Sequence, residues 1–410
     1  MTIIEFYDKT SLDNIAGALL CEVDHIVLIG DNRGKMAESK VIYDKILQGR
    51  GKSTTISYMS VNRNKLSAIV NVLTKLISNE ESYIFDLTGG DDLCLVAVGI
   101  LMQTFGEQIQ CHRFNFRNNT LYDCDADGNV CATLPFRLSV DECISIYGGR
   151  VVRDDNAPLH TFKWRLEGDF IDDVNIMWNI CKHDVSLWNV KTFILSSACD
   201  LAKIGESMEY HSDVGIFHTA LDNKHIDFDH YKEFLYELER NSLISSLNIG
   251  EQVSFIFKNN QVKRCITLPG QILELVVATK MQSIMNEDGE PLYQDINVGV
   301  VIDWDTEEKN EQYPTINEID VLAMKDMIPI FVSCKNGNFD ETELYKLKTV
   351  AERFGGKYAK KVLVATKLDK FGLKSDFLKA RMRDMDIKYI ENLAVMSDEE
   401  IDQAFRSLWL

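Results

Sequence analysis

The sequence of 410 residues lacks every spacing that marks a cysteine- or histidine-bound metal centre. Its ten cysteines form no CxxC pair and most lie inside apolar runs, and its eight histidines form neither HxH nor HExxH. A zinc site and a disulfide framework are therefore not predicted, and reduced core cysteines are typical of a cytoplasmic protein.

Long hydrophobic segments are also missing. The longest apolar run, Leu93 to Met102, covers ten residues, whereas a membrane-spanning helix needs about 20. The first residues, MTIIEFYDKTSLDN, have no basic stretch ahead of an apolar one and do not resemble a secretory signal. We therefore expect no membrane association.

The common nucleotide-binding fingerprints are absent as well. No GxGxxG occurs, and the segment Gln48–Thr54 lacks the first glycine of a Walker A loop because position 46 is isoleucine. These absences disfavour a dinucleotide-dependent or P-loop enzyme, and no cofactor fingerprint or acid–base pair supports a metabolic nucleotide-binding enzyme.

The chain is long enough for two or three domains, and its net charge of −19 disfavours a nucleic-acid partner. The charge is nevertheless uneven. Between Lys335 and Arg383, 13 Lys and Arg residues stand against 6 Asp and Glu residues, which gives a local excess of +7. This excess indicates either solvated helix faces or an electropositive surface at the C-terminal end.

The first 117 residues alternate between short β-rich runs and amphipathic stretches. Strands are predicted at Ile3–Tyr7, His25–Ile29, Thr54–Met59, Tyr83–Leu87 and Ile109–Phe116. Helices are predicted at Ser11–Cys21, Lys35–Gln48, Lys65–Ser78 and Asp91–Phe105. The alternation predicts a Rossmann-like parallel sheet covered on both faces, with a ligand site beyond the carboxyl ends of the strands.

Polar and glycine residues follow three of these strands. The first strand is followed by Lys9, Thr10, Ser11 and Asn14, the second by Asp31 and Asn32, and the fourth by Thr88, Gly89 and Gly90. The two glycines either let the backbone approach a phosphate at a helix N-terminus or only form a tight turn.

The middle of the chain, from residue 165 to 247, is predicted to be mainly helical. It ends in two short helices, Tyr231–Arg240 and Ser242–Asn248, and a hairpin of Val253–Phe257 with Val262–Leu268. This order is that of a winged helix. Because the only nearby cations are Lys258, Lys263 and Arg264, a structural connector is favoured over a DNA-binding module.

The last third of the chain has one acid, Glu274, within an apolar helix. Two predicted strands follow, and the alternation of side chains along each strand shows which residues share a face. Glu318 and Asp320 lie on one face of the first strand, and Ser333 and Lys335 lie on one face of the next. If the strands are neighbours, Asp320 and Lys335 project into one cleft that Glu274 can reach.

Such a cluster suits phosphodiester hydrolysis. Asp320 and Glu274, with the backbone carbonyl of Cys334, offer hard oxygen ligands to Mg²⁺ or Mn²⁺, and Lys335 can stabilise developing negative charge. The alternative is an ordinary salt bridge between Asp320 and Lys335 at the end of a sheet.

The motifs NEID (residues 317–320) and SCKNG (333–337), the following helix and FGGKYAKKVLVAT together resemble the PD-(D/E)xK restriction-endonuclease-like nucleases over about residues 269–370. Within that class they look like the CRISPR-associated CARF nucleases of type III systems. The first third is similar to a CARF domain, with DKTS and TGG in the expected ligand loops.

The resemblance implies an α/β protein with a CARF-like domain (residues 1–150), a helical and winged-helix-like connector (151–268) and a nuclease domain (269–410). It further implies a homodimer that binds cyclic oligoadenylate, specifically cyclic tetra-adenylate. Binding would activate metal-dependent cleavage of single-stranded RNA or DNA, with nicking of duplex DNA as a further reaction.

One position departs from the family pattern, because Ser333 stands where the motif has Glu or Asp two residues before the lysine. Glu318, on the face of Asp320, is the candidate replacement in the catalytic set of Glu274, Glu318, Asp320 and Lys335. The departure leaves a second hypothesis open, a catalytically degenerate CARF sensor that acts as a nucleic-acid-binding regulator.

Overall fold

The computed structural model describes residues 1–77, 82–124, 130–133, 136–222, 224, 226–304, 315–336, 339–367 and 373–409. Within these residues no helix is both long and apolar enough to cross a bilayer. The nine cysteines whose side chains are described are all free. The chain folds around three β-sheets.

The first sheet follows the predicted alternation closely. Its seven strands are β1 (Thr2–Phe6), β2 (His25–Gly30), β3 (Thr55–Ser60), β4 (Tyr83–Asp86), β5 (Ile109–Asn115), β6 (Thr120–Asp123) and β7 (Val130–Thr133). They lie in the order β3-β2-β1-β4-β5-β6-β7. The first five are parallel, and β6 and β7 add an antiparallel edge.

Helices cover this sheet on both faces, which explains why β1 is buried along its whole length. They are α1 (Ala16–Leu20), preceded by a 3₁₀ turn at Ser11–Asn14, then α2 (Arg33–Gly49), α3 (Leu66–Leu76) and α4 (Asp92–Phe105). Asn32 and Asp91 cap α2 and α4 by accepting backbone hydrogen bonds from Lys35 and Cys94. The predicted Rossmann-like sheet is confirmed.

The middle of the chain is helical with a small sheet. Its elements are α5 (Val140–Ile146), β8 (Arg150–Val151), α6 (Asp169–His183), α7 (Val185–Leu201), β9 (Glu209–Asp213), α8 (Val214–Leu221), α9 (Phe228–Arg240), β10 (Ile244–Ile249), β11 (Gln252–Phe257) and α10 (Asn260–Thr267). The sheet has the order β10-β11-β9. Helices α8 and α9 followed by the β10–β11 hairpin give the winged-helix-like order.

The predicted boundaries of that hairpin are wrong. Residues 242–248 contain a strand and not a helix, and residues 262–268 are largely helix α10 and not a strand. Val262, Cys265 and Ile266 are buried, and the i, i+3, i+4 spacing of these residues is the helical period. The β10–β11 ladder has a register shift between Ser245 and Asn248, and Ser242 and Ser246 have positive φ angles. Strand β10 therefore lacks the regular alternation of apolar and polar residues by which a strand is recognised in a sequence.

The third sheet comes mainly from the last third. After α11 (Gln271–Ser283) its strands are β12 (Gln294–Asp303), β13 (Ile316–Lys325), β14 (Ile328–Lys335), β15 (Lys360–Ala365) and β16 (Ile387–Ile390), with helices α12 (Glu341–Gly355), α13 (Leu373–Asp384) and α14 (Asp398–Ser407). The order is β16-β15-β14-β13-β12-β8. The meander β12-β13-β14 is antiparallel, and β15 and β16 continue parallel to β14.

The three parts share apolar cores. One hydrophobic cluster joins helices of the middle to the third sheet through Val321, Val332 and Val364. A second joins the first sheet to the third and contains Leu12, Tyr147 and Phe354. Strand β8, at the predicted end of the first domain, pairs with β12 of the third sheet. The third sheet is thus anchored to both other parts of the chain.

Candidate active site

Strands β13 and β14 bring Asp320 and Lys335 together at the carboxyl end of β14. Val321 pairs with Val332, so Asp320 lies opposite Ser333. The backbone N–H of Cys334 donates to Asp320 Oδ2 at 2.6 Å, and the hydroxyl of Ser333 donates to the same oxygen at 3.3 Å. Lys335 Nζ lies 3.9 Å from Asp320 Oδ2. The predicted juxtaposition is therefore present.

A glutamate that sequence reasoning missed completes the surroundings of the lysine. Lys335 Nζ donates to Glu343 Oε2 at 2.9 Å, and Lys346 Nζ donates to Glu343 Oε1 at 2.7 Å. Burial acts to lower the pKa of Lys335, but Asp320 and Glu343 outweigh it and the pKa lies above its usual value. The amine is thus held protonated. The position of Glu343 in the first turn of α12, eight residues after the lysine, was the only signal in the sequence.

Glu274 and Glu318 approach the same cluster. Glu274 projects from α11 and accepts a hydrogen bond from Gln271 Nε2 at 2.9 Å. Burial raises the pKa of Glu274 well above its usual value, and the negative charges of Asp320 and Glu318 raise it further. Burial raises the pKa of Glu318, and the negative charge of Asp320 raises it further. Burial also raises the pKa of Asp320. The three carboxyl groups therefore repel one another in one cleft.

This carboxylate cleft can be tested for its fit to a divalent ion. No group of three or more His, Cys, Asp or Glu side chains is placed to hold a metal among the residues described. Mg²⁺, however, is commonly held through one or two carboxylates and retained waters, and a cation beside Asp320 would relieve the repulsion among the three acids. Burial raises the pKa of the Cys334 thiol well above its usual value, so Cys334 can contribute its carbonyl oxygen but not a thiolate. Asp320, Glu318, Glu274 and that carbonyl are the oxygen donors that would hold such an ion.

The polar residues predicted after β1, β2 and β4 lie at one edge of the first sheet, because these strands are neighbours. Lys9, Asp31 and Asn32 are exposed, and Thr10 and Ser11 are half-buried. A ligand can therefore reach these five residues from the solvent side of the edge.

The other predicted residues of this edge hold the loops in shape. Asn14 is buried, accepts from the backbone N–H of Asp8 at 2.5 Å and donates to the carbonyl of Asp8 at 3.0 Å. The Thr88 hydroxyl donates to Asp86 and accepts from the backbone N–H of Phe114 at 2.8 Å.

The two glycines allow a close backbone approach inside the protein. A Cβ at Gly89 would lie 3.0 Å from the carbonyl oxygen of Phe6, and one at Gly90 would lie 2.9 Å from Phe6 Cβ. Gly90 also has φ of +95°, which favours glycine. Packing against β1 therefore requires these glycines, whether or not a ligand binds.

Two further groups support the loops and were not predicted. Arg63 donates to the carbonyl of Tyr7 at 2.7 Å and to Asp91 Oδ2 at 2.8 Å, which joins the loops after β1 and β4. Beneath them, Glu5 and Asp86 are register partners on adjacent strands and both are fully buried. Burial raises the pKa of Asp86 to about 6 and that of Glu5 well above its usual value, as expected of two carboxyl groups that share a proton.

The loop after β1 also contacts the third part of the chain. Lys357, just before β15, places Nζ 2.6 Å from Oδ2 of Asp13, whose side chain is fully buried. The ring of Tyr358 lies 4.2 Å from that of Phe116. A Cβ at Gly89 would lie 3.4 Å from Asp13 Cβ. Asp13 thus lies between the loop after β4 and the segment that leads into β15.

Comparison with known proteins gives two kinds of match. Residues 261–402 match the model of the Card1-like endonuclease domain. The whole chain superposes on the crystal structure of protein VC1899 from Vibrio cholerae with a TM-score of 0.70 at 16% identity, covering 100% of this chain and 97% of that one. It superposes on Can2 from Sulfobacillus thermosulfidooxidans in complex with cyclic tetra-adenylate with a TM-score of 0.67 at 13% identity, covering 100% and 99%.

No curated protein sequence matches the chain significantly. The endonuclease-domain match and the superposition on Can2 confirm the resemblance to CRISPR-associated CARF nucleases and the α/β fold class inferred from the sequence.

Because Glu274 is buried beside Asp320 and Glu318, removing its negative charge should stabilise the folded protein, by an amount that depends on pH. Because the pKa of Glu274 is raised in the folded state, the folded chain binds this proton more tightly, and stability falls as pH rises through the interval above the usual glutamate pKa. Glu274→Gln keeps an acceptor for Gln271 and removes the charge. In EDTA, we expect its Tm to exceed that of the wild type by about 2–4 °C at pH 8.

This difference should shrink as the pH is lowered towards 4.5, because Glu274 is then protonated in the folded state and the wild type no longer carries its charge in the cleft. Differential scanning fluorimetry between pH 4.5 and 8 measures it, with the exposed Glu287→Gln as control. A constant difference across that range would show that Glu274 is not electrostatically strained.

Proposed function

We propose that this protein is a metal-dependent nuclease of type III CRISPR antiviral defence, activated by cyclic oligoadenylate. It would cleave single-stranded RNA or DNA and nick duplex DNA. The observation that carries the proposal is the contact of Asp320 with Lys335 beside Glu318 and Glu274, inside a segment that matches an endonuclease family.

The catalytic roles follow from the contacts in the cleft. Asp320, Glu318 and the Cys334 carbonyl would hold the ion, with Glu274 at its edge. A bound divalent ion supplies Lewis-acid polarisation of the phosphate and a water of lowered pKa. Glu343 and Asp320 keep Lys335 protonated and aimed at the cleft, where its charge stabilises the negative charge that develops on the phosphate oxygens.

Glu318 is proposed to replace the acid that Ser333 lacks. It interacts with Asp320, whereas the Ser333 hydroxyl is engaged as a donor to Asp320 Oδ2. The serine therefore orients a ligand but adds no negative oxygen of its own.

The first domain is proposed to bind cyclic tetra-adenylate. Support comes from the exposed polar groups at the edge formed by β2, β1 and β4, and from superposition along the full chain on Can2, whose structure contains that ligand. The proposed division is a CARF-like domain at 1–150, a connector at 151–268 and a nuclease domain at 269–410.

A homodimer is proposed as the binding unit. Helix α4 exposes four large apolar side chains, Leu95, Val96, Ile100 and Met102. An exposed apolar face of this kind is typical of an interaction site, and a second copy of the chain is the partner that the CARF resemblance implies.

Gating is supported by the ion pair of Asp13 with Lys357. Asp13 belongs to the loop after β1, and the segment it contacts leads into β15, which pairs with β14 up to Lys335. A ligand that moves the loop would therefore displace the neighbour of the catalytic strand. Such coupling requires the ligand to bind the active arrangement more tightly than the resting one.

The alternative function, a degenerate sensor that regulates by binding nucleic acid, is favoured by Ser333 alone. The intact cluster of Glu274, Asp320 and Lys335 argues against it.

Cleavage assays test the proposal directly. With Mn²⁺ and labelled single-stranded RNA or DNA, we expect product only when cyclic tetra-adenylate is added, and a loss of at least about 100-fold in rate for Asp320→Asn because an ion ligand and a partner of Lys335 are removed. Asp398→Asn, which changes an exposed acid on α14, should retain activity. Absence of any cleavage by the wild type would favour the sensor, and cleavage without the ligand would refute gating.

The Asp13 contact makes a separate prediction for Lys357→Ala. We expect cyclic tetra-adenylate to bind with an affinity within about 3-fold of wild type, measured by calorimetry, because Lys357 lies outside the proposed ligand groups. The stimulation of cleavage by the ligand should fall about 5- to 100-fold, in the usual range of coupling free energies. Lys348→Ala, in a pair with Glu352 on α12, is the control. Unchanged stimulation in Lys357→Ala would mean that the signal takes another route.

A further inference from the structure

Arg264 is a further cation near the carboxylate cleft and has no role in the proposed catalysis. It lies on α10, and its guanidinium group stands over the ring of Phe162 at 4.6 Å. The charges that act on it are Glu318, then Glu206 and Glu274. Two of these three belong to the carboxylate cleft, so Arg264 lies near those acids.

The guanidinium group has no polar partner of its own among the described residues. Its Nε atom is buried without a hydrogen-bond acceptor, and no carboxylate oxygen of the described chain lies within the 4.0 Å that defines an ion pair. Lys335, in contrast, is paired with Glu343 at 2.9 Å. A desolvated arginine usually has acceptors, because an unpaired buried donor is costly.

The surroundings favour an anion as the missing partner. Arg264 is held in place by its ring contact, and burial lowers its pKa without removing its charge at neutral pH. An ion bound by Asp320 and Glu318 would neutralise Glu318, the first of the acids that act on Arg264. The uncompensated guanidinium then matches a phosphate group, whose oxygens accept its parallel N–H donors.

We propose that Arg264 binds a phosphate group of the nucleic-acid strand next to the bond that is cut. The inference rests on the proposed nuclease function and adds a substrate-positioning residue from the winged-helix-like middle of the chain. It gives that middle part a direct role at the cleft, although its other cations are few. Of these, Lys263 is occupied, since its Nζ donates to the carbonyls of Gly205 and Ser207 at 2.5 and 2.7 Å.

The test compares Arg264→Gln with Arg240→Gln. Arg240 lies in the last turn of α9, is exposed and is absent from the charges that act on Glu274, Glu318 or Asp320. Both substitutions are made in full-length Lys335→Gln protein, where cleavage is removed and the proposed ion ligands are kept. Binding of a fluorescent single-stranded RNA is followed by anisotropy with cyclic tetra-adenylate and Mn²⁺, at several salt concentrations.

We expect Arg264→Gln to weaken binding about 10-fold or more, as for loss of a charged hydrogen bond. The slope of log K against log salt should become shallower by about 0.7, since one phosphate contact on a single strand is lost. Arg240→Gln should leave the affinity within about 2-fold. In the active protein, Arg264→Gln should raise KM more than it lowers kcat.

The outcomes separate this inference from the proposed function. A wild type that neither binds nor cuts nucleic acid would overturn the nuclease proposal together with this one. A wild type that cuts, with an Arg264→Gln variant of unchanged KM and salt slope, would overturn the role of Arg264 alone and leave it as a counter-charge to Glu318.

Folding of the variants is checked by Tm. Should Arg264→Gln not fold, Arg264→Lys decides, since it keeps the charge and loses the planar donor fork. We expect it to bind about 3-fold or more weakly, and wild-type affinity would contradict the proposal.

Discussion

The hydrogen bond from the Cys334 backbone N–H to Asp320 fixes the arrangement on which the cleft depends. It follows from the antiparallel register of β13 and β14, which also brings Lys335 near the same carboxylate oxygen. A slip of one residue would turn these side chains to the other face of the sheet. Apolar side chains of β13 and β14 packed in two different cores hold the register.

In the proposed gating, the third sheet carries the signal to the cleft. A continuous apolar cluster joins it to the first sheet, and the buried carboxylate of Asp13 meets Lys357 at the surface of that cluster. Packed cores move as units because they are dense and resist local deformation. A small change at the loop after β1 therefore has a rigid path towards β15 and its neighbour β14.

The sequence allowed the parallel sheet and the pairing of Asp320 with Lys335 to be predicted, because apolar runs and strand parity are local properties. It did not reveal Glu343, Asp13 or the position of Arg264, since each depends on a contact between elements far apart in the chain. The second strand of the middle hairpin was misplaced although Val262, Cys265 and Ile266 already have helical spacing in the sequence. Asn14 and Thr88 were predicted to bind a ligand, and the structure adds that their side chains hold the loops in shape.

In the proposed mechanism, the carboxylate cleft holds a divalent ion between Asp320 and the carbonyl of Cys334. Crystals of the full chain soaked in MnCl₂, with data collected near the manganese absorption edge, test it most directly. The account predicts an anomalous peak within about 2.3 Å of an Asp320 oxygen in the wild type, and none in Asp320→Asn. A wild-type map without a peak in the cleft, with Asp320 and Lys335 in contact as described, would contradict it.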